Sequence, residues 1–439
     1  MSTTKINRRS FLHKTGALAG GLAISAPLAA KAHIDGADTI RIGLIGCGGR
    51  GTGAAIQALA CGQNVQLVAM ADAFRDRLDK SFENIKNEMP NYELGANMLA
   101  VPEEHKFVGF DAYQKVIPLC DVVVIATPPG FRPIHFEAAV AADKHVFMEK
   151  PLAVDAPGVR RVLEAAKEAK RKKLNVVVGL QRHYQTVYRK WVDMLQNGVI
   201  GDITASYVYW NSGGVWVRPR QVGQTEMEYQ MRNWYYFNWL CGDHITEQHI
   251  HNLDVGNWVK QAYPVSASGY GGRHMRNGKE HGEIFDHHFV EYTYADGSKM
   301  ISQCRHWKGC TQQVTESFQG TNGSAPEPGK ILTPSGYAIM DHNERKDPNP
   351  YQVEHDELFA AIAKGEYKFA DAANGAMSTM TSILGRMATY SGQVIEWEKA
   401  MASDLDLSPT KYTWDADPPI LPLESGFYPV SVPGETRVL

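Results

Sequence analysis

Gly46-Cys47-Gly48-Gly49-Arg50-Gly51 constrains this chain more than any other segment, because of what surrounds it. The apolar run 39–45 precedes it and a helical pattern follows, so the glycines sit at a strand-to-helix turn. Gly46 permits the tight bend, Gly48 lets main chain approach a phosphate, and Gly51 lets helix and strand pack closely. The new helix presents unpaired N–H groups and a partial positive charge, which suit a pyrophosphate. Gly49 and Arg50 complete the loop. Asp72 closes the next strand about twenty residues on, where an acid takes the ribose hydroxyls of a dinucleotide. That acid repels a 2′-phosphate, so NAD is expected over NADP, although Arg75 and Arg77 stand close by in sequence.

From residue 39 to 180, strand-like and helix-like stretches alternate. Strands are expected over 40–45, 65–71, 106–108, 121–126, 145–148 and 175–179, with helices over 54–60, 74–86 and 156–171. Several of these strands are continuous apolar runs, as in a sheet covered on both faces. Such a βαβ series folds as a doubly wound parallel sheet. Residues 88–104 read as an irregular insertion. Beyond residue 180 the pattern becomes polar/apolar alternation, over 204–210, 265–270, 287–294, 299–306 and 313–319, with Asp296-Gly297 as a hairpin turn. The chain is therefore read as α/β: an N-terminal Rossmann domain over 38–182, then an α+β domain over 183–403 with a large open, mostly antiparallel sheet. Helices are expected over 353–364 and 372–397, and the proline-rich residues 404–439 as an extended surface tail.

The first 32 residues read as an export signal. Arg8-Arg9-Ser10-Phe11-Leu12 precedes an apolar core from Gly16 to Ala30, and Ala30-Lys31-Ala32 fits a cleavage site. The paired arginines mark a twin-arginine signal, which exports folded proteins, so a periplasmic or extracytoplasmic location is expected. Folding in a reducing cytoplasm lessens the need for disulfides among the six cysteines. Cys304 and Cys310 are close enough in sequence to pair, yet are expected as thiols. No other apolar run is long enough to span a membrane. The formal net charge is −3, with no basic cluster outside the leader and residues 167–173, which leaves nucleic-acid binding without electrostatic support.

Two further segments lie at strand ends of the first domain. Thr127-Pro128-Pro129 ends the fourth strand, with His135 a turn into the next helix, and Glu149-Lys150-Pro151 ends the fifth. Ligands in such sheets bind at the carboxyl ends of the strands. The Gly loop, Asp72, the Thr127-Pro128-Pro129 turn and Glu149-Lys150-Pro151 together resemble the glucose-fructose oxidoreductase/inositol dehydrogenase family (Gfo/Idh/MocA), over nearly the whole mature chain. The resemblance implies a Rossmann domain, an open-sheet domain that often mediates oligomerisation as a homodimer or homotetramer, and a carbohydrate substrate. It implies that Glu149 and Lys150 border the nicotinamide, that Lys150 also contacts substrate, and that Gln181 and Arg182 fall where cofactor or substrate contacts occur.

The same family carries an Asp and, four residues later, a catalytic His on one helix. Here Glu247 and His251 occupy those places, and His249 stands where a Gly is usual. On that spacing one helix face presents both. His251 would take a hydroxyl proton, Lys150 would polarise the same oxygen, and Glu247 would orient His251 or touch the sugar. Two other readings stand beside this one. His244, Glu247 and His251, or Asp286-His287-His288, could hold a metal, but the spacing matches no standard signature and no metal is expected. His249 and His244 suit packed core positions. Between residues 211 and 243 lie many aromatics, among them Trp234 and Tyr236, whose faces suit sugar rings; Tyr184 is a further candidate.

The leading expectation is an NAD-dependent oxidoreductase acting on a secondary hydroxyl of a sugar, glycoside or cyclitol, with the cofactor loaded before export and recycled in place. The alternative uses the same site for redox-neutral glycoside cleavage: transient ring-hydroxyl oxidation, elimination, hydration and re-reduction. A non-catalytic sugar-binding protein is the third reading.

Overall fold

The computed structural model describes residues 38–342 and 346–439. The leader read over residues 1–32 lies outside the described residues. The first sheet has six parallel strands, β1 (Ile40–Ile45), β2 (Val65–Asp72), β3 (Lys106–Val108), β4 (Val122–Ile125), β5 (His145–Met148) and β6 (Val176–Val178), ordered β3-β2-β1-β4-β5-β6. The order reverses between β1 and β4, and a crevice opens there at the carboxyl ends of both strands. All four residues of β4 are buried, as a strand covered by helices on both faces must be.

The second sheet has nine strands: β7 (Ile203–Ser212), β8 (Ser266–Gly272), β9 (His287–Thr293), β10 (Lys299–His306), β11 (Gln313–Gly320), β12 (Gly323–Glu327), β13 (Lys330–Leu332), β14 (Ala338–Asp341) and β15 (Ile395–Glu396). All pairings are antiparallel except β7 with β10. Residues of β9 and β10 alternate between buried and half-buried, so one face is covered and the other is left open. The expected hairpin joins β9 to β10, with Gly297 at φ +84°.

Helix Ala372–Ser391 lies along the covered face and is buried almost throughout. It stops at Gly392, which takes a left-handed φ of +68°, short of the expected end near residue 397. A glycine cap ends a helix without the Cβ penalty of other residues. Helix Pro350–Ala363 packs under the first sheet rather than the second: Leu358, Phe359 and Ile362 share a core with Ile40, Leu44 and Phe147. Residues 88–105 form three short 3-10 turns, in keeping with an irregular insertion. The tail 404–439 carries no helix or strand and packs on the surface. All six cysteines are free thiols. No described helix is long and apolar enough to cross a membrane.

Candidate active site

Helix Gly49–Leu59 begins inside the Gly loop, with Gly48 as an N-cap that lends no side chain. Its first N–H groups therefore face outward without partners, as an anion site requires. The glycines divide by function. Gly46 has φ +97°, and a Cβ there would come within 2.6 Å of the Ala126–Thr127 backbone. A Cβ on Gly51 would stand 1.9 Å from the Gly46 carbonyl. Nothing lies within 4 Å of a Cβ on Gly48 or Gly49, because these two border open space. That space is a cavity of about 560 Å³, lined by the loop, Arg50, Asp72, Phe74, Arg77, Thr127, Pro128, His135, Trp216 and Trp234, among others. Its volume and donors fit a dinucleotide.

Asp72 accepts from the backbone N–H of Cys47 (2.7 Å) and of Phe74 (2.9 Å), which fixes its carboxylate at the end of β2. Burial raises its pKa against those two bonds. His135 is buried with its Nδ1 3.2 Å from the Thr127 hydroxyl, and burial lowers its pKa to about 3.

Lys150 leaves β5 and donates to the main-chain carbonyl of Glu247 at 2.6 Å and to its carboxylate at 3.2 Å. Both side chains keep a little solvent access, 12% and 14%. His251 is buried, stacks on Trp210 with ring centroids 5.9 Å apart, and leaves its Nδ1 without a partner. Burial first, and then the charges of Lys150, Arg182 and Arg50, hold its pKa well below the ordinary 6.5. These influences favour the neutral imidazole. Glu149 accepts from Arg50 at 2.5 Å, which links the Gly loop to the end of β5.

One expectation from spacing fails. Glu247 and His251 do not share a helix: His244–Glu247 is a single turn, broken at Gln248–His249 before helix Ile250–Lys260 begins. Glu247 consequently faces Lys150 instead of orienting His251. Lys150, Glu247 and His251 also lie outside the walls of the 560 Å³ cavity.

Comparison with known proteins agrees with this geometry. Residues 40–178 match the model of the GFO_IDH_MocA oxidoreductase family, NAD-binding Rossmann fold. The inositol 2-dehydrogenase of Serratia proteamaculans is 26% identical over 370 residues, covering 81% of this chain and 96% of that protein. Residues 40–178 thus carry the NAD-binding Rossmann domain of the Gfo/Idh/MocA oxidoreductase family. The chain is an enzyme of the NAD-dependent kind. Among solved structures, the aldose-aldose oxidoreductase of Caulobacter crescentus shares its fold with TM-score 0.61 at 16% identity, over 82% of this chain and all of that one. Scyllo-inositol dehydrogenase from Lactobacillus casei, solved with NAD(H) and scyllo-inositol, superposes with TM-score 0.60 at 18% identity, over 82% and 100%.

The remaining candidates separate. Gln181 is held at the end of β6 with its Oε1 buried and unpartnered. Arg182 is turned inward: its guanidinium pairs with buried Glu316, which also accepts from Tyr188 (2.9 Å) and Asn252 (2.6 Å). Tyr184 is buried too, donating to Asp371 at 2.7 Å. The Tyr184 hydroxyl and one Arg182 nitrogen are thus engaged by buried carboxylates. Tyr236 is likewise buried among aromatics, whereas Trp234 does line the cavity.

The histidine-rich segment mostly builds structure. Asp243 takes φ +69° and accepts from His244 N (2.5 Å), Tyr390 OH (2.6 Å) and Phe285 N (2.9 Å), with His244 Nδ1 at 2.8 Å. Asp243, His244 and His288 are near enough to ligate a cation, but the carboxylate is already committed to protein donors. His249 is buried against the Ser302 hydroxyl at 2.8 Å, the packed role expected of it.

Two residues escaped the sequence reading. Glu354, fully buried on helix Pro350–Ala363, accepts from Arg50 at 2.9 Å and so fixes the loop arginine from behind; burial, then Glu149, raises its pKa well above 4.5. Arg132, fully buried, donates to the carbonyls of Thr127 and Pro151. Nothing in the sequence marks either, since a Glu or Arg on a helix normally reads as solvated.

Proposed function

We propose that the protein oxidises a secondary hydroxyl of a sugar, glycoside or cyclitol with a retained NAD, and works outside the cytoplasm. The observation that carries this reading is the meeting of Lys150, at the end of β5, with Glu247, and of buried His251 with an unpartnered Nδ1 on the helix that follows. Bound NAD would supply the acceptor for the hydride leaving the carbinol carbon. His251 receives the hydroxyl proton, and Lys150 steadies the alkoxide character that develops on oxygen. Glu247 holds the Lys150 ammonium in place. The likeness to inositol 2-dehydrogenases and the solved complexes with scyllo-inositol and with levoglucosan support a polyhydroxylated ring as substrate.

Retention has its own support. The aromatic and arginine-rich segment 213–234 reaches the cavity, and the C-terminal tail packs on rings that line it. Arg232 lies 4.0 Å over the Phe74 ring and pairs with Asp76 at 3.2 Å, and Trp414 of the tail packs on Phe74 and Phe110 with centroids 4.9 and 4.5 Å apart. Together with the paired arginines of the leader, this favours a dinucleotide loaded before export. The open face of the second sheet, with exposed Tyr270 stacked on Phe289, suits a homodimer or homotetramer. The test is to incubate purified protein with inositols, free sugars and aryl glycosides, without added cofactor. One equivalent of NADH per site, rising to many with added NAD, is the expected result. Multiple turnovers of released phenol without added NAD establish the redox-neutral glycosidase instead.

A further inference from the structure

Arg132 opens the helix Arg132–Ala141 directly behind β4 and is 1% exposed, the most deeply buried cation among the described residues. Its Nε donates to the Pro151 carbonyl at 2.8 Å, and Nη1 and Nη2 both donate to the Thr127 carbonyl, at 3.0 and 2.9 Å. Thr127 and Pro128 wall the cofactor cavity, and Pro151 directly follows Lys150. The guanidinium thus ties the end of β4 to the end of β5, between the cavity and the catalytic lysine. No carboxylate pairs with it among the described residues; Glu149 and Glu247 act on it only at longer range. Burial lowers its pKa to about 10, which leaves it cationic at neutral pH. Two carbonyls do not require a charge, and burying an unpaired one is costly. A neutral donor would serve for structure alone.

We propose that Arg132 is a positioning residue for hydride transfer, and that its fixed charge biases the bound dinucleotide toward the reduced form. The inference rests on the reading of the site as an NAD-dependent dehydrogenase. Its two parts come from different features of the side chain. The planar fork holds Thr127 and Pro151, and through Pro151 the main chain that carries Lys150. The charge disfavours oxidised nicotinamide, which is a cation, relative to reduced nicotinamide, which is neutral. The second effect acts in the direction of substrate oxidation.

Dissociation constants for NAD⁺ and NADH, from NADH fluorescence and competition, separate the parts when measured on wild type, R132K and R132Q alongside kcat. R132Q is expected to weaken the preference for NADH over NAD⁺ about tenfold, on the scale of one nearby charge. R132K is expected to keep that preference within about twofold while kcat falls about tenfold, because an ammonium cannot span both carbonyls. A merely structural residue would change both affinities together. An unchanged preference in R132Q overturns the electrostatic part, and an unchanged kcat in R132K overturns the positioning part. Should R132Q fail to fold, R132K decides alone: loss of its NADH preference sinks the proposal. Wild-type protein that binds neither form overturns the functional reading and this inference with it.

Discussion

The ammonium of Lys150 sits 2.6 Å from the main-chain carbonyl of Glu247 and 3.2 Å from its carboxylate. A strand end of one domain and a single helical turn of the other meet in this contact. The longer reach of Glu, compared with the Asp usual in the family, lets the carboxylate meet the lysine while the main chain does the same. Lys150→Met is expected to lower kcat by about 10² to 10⁴, the range for losing a group that stabilises charge or moves a proton in the transition state. Glu247→Asp should lower kcat less, by about tenfold, and Glu247→Gln more than Glu247→Asp, because it removes the charge that holds the ammonium. Steady-state kinetics on the best substrate would check the order. Equal activity of Glu247→Gln and wild type would show that the contact is incidental.

The Gly loop offers a sharper division. Gly51 has no room for a side chain, with the Gly46 carbonyl 1.9 Å from its Cβ position, whereas Gly48 borders open space. Gly51→Ala is expected to lower the melting temperature and abolish NAD binding together. Gly48→Ala should melt as wild type but bind NAD about tenfold or more weakly, since its methyl occupies ligand space. Thermal melting with and without NAD measures both.

These two cases indicate what a sequence of this kind discloses. The loop, the position of Asp72 and the positions of the first six strands were legible because each rests on local backbone requirements or on continuous apolar runs. The pairing of Glu247 with Lys150 was not. Spacing of four implied one helix, but the break at Gln248–His249 splits it into two. The carboxylate partners of Arg182 and Tyr184 were hidden for another reason: Glu316 and Asp371 lie 134 and 187 residues away, so nothing local indicated them. A separation of 304 residues likewise hid Glu354 behind Arg50.

Buried imidazoles make the fold sensitive to acid. Burial lowers His135 and His249 to about 3, and His145 and His244 to about 4, all from 6.5. The folded state keeps these rings neutral while the unfolded chain protonates them at about the ordinary value. Their contribution is therefore fully present above pH 6.5 and is lost as pH falls from 6.5 toward 4 and 3. Each ring costs up to about 1.4 kcal/mol per pH unit inside that window. The melting temperature should be nearly flat from pH 8 to 7 and drop steeply toward pH 5. His355, fully buried with both nitrogens unpartnered and its ring 4.2 Å from Phe147, belongs to the same group. His355→Phe should be neutral or stabilising at pH 7.5 and should flatten the acid slope. A slope that His355→Phe leaves unchanged would assign the acid sensitivity to the other rings alone.

The rim of the cavity bears on cofactor lifetime. Trp414 belongs to a tail without helix or strand, so its hold on Phe74 and Phe110 depends on ring packing rather than on a main-chain ladder. Phe74 is gripped from its other contacts by Arg232, whose guanidinium also pairs with Asp76. Both rings line the cavity, and an aromatic contact of this type is worth about 0.5–1.5 kcal/mol beyond its buried area. Removing it should raise the rate of NAD release about threefold to tenfold, by the usual conversion of 1.4 kcal/mol to a factor of ten. Trp414→Ala touches neither Lys150 nor His251, so kcat at saturating NAD should stay near wild type. Release can be followed by rapid gel filtration of the NADH-loaded protein and by fluorescence decay on dilution. If Trp414→Ala and Asp76→Ala release NADH at the wild-type rate, the rim is packing only and retention must arise from the Gly loop itself.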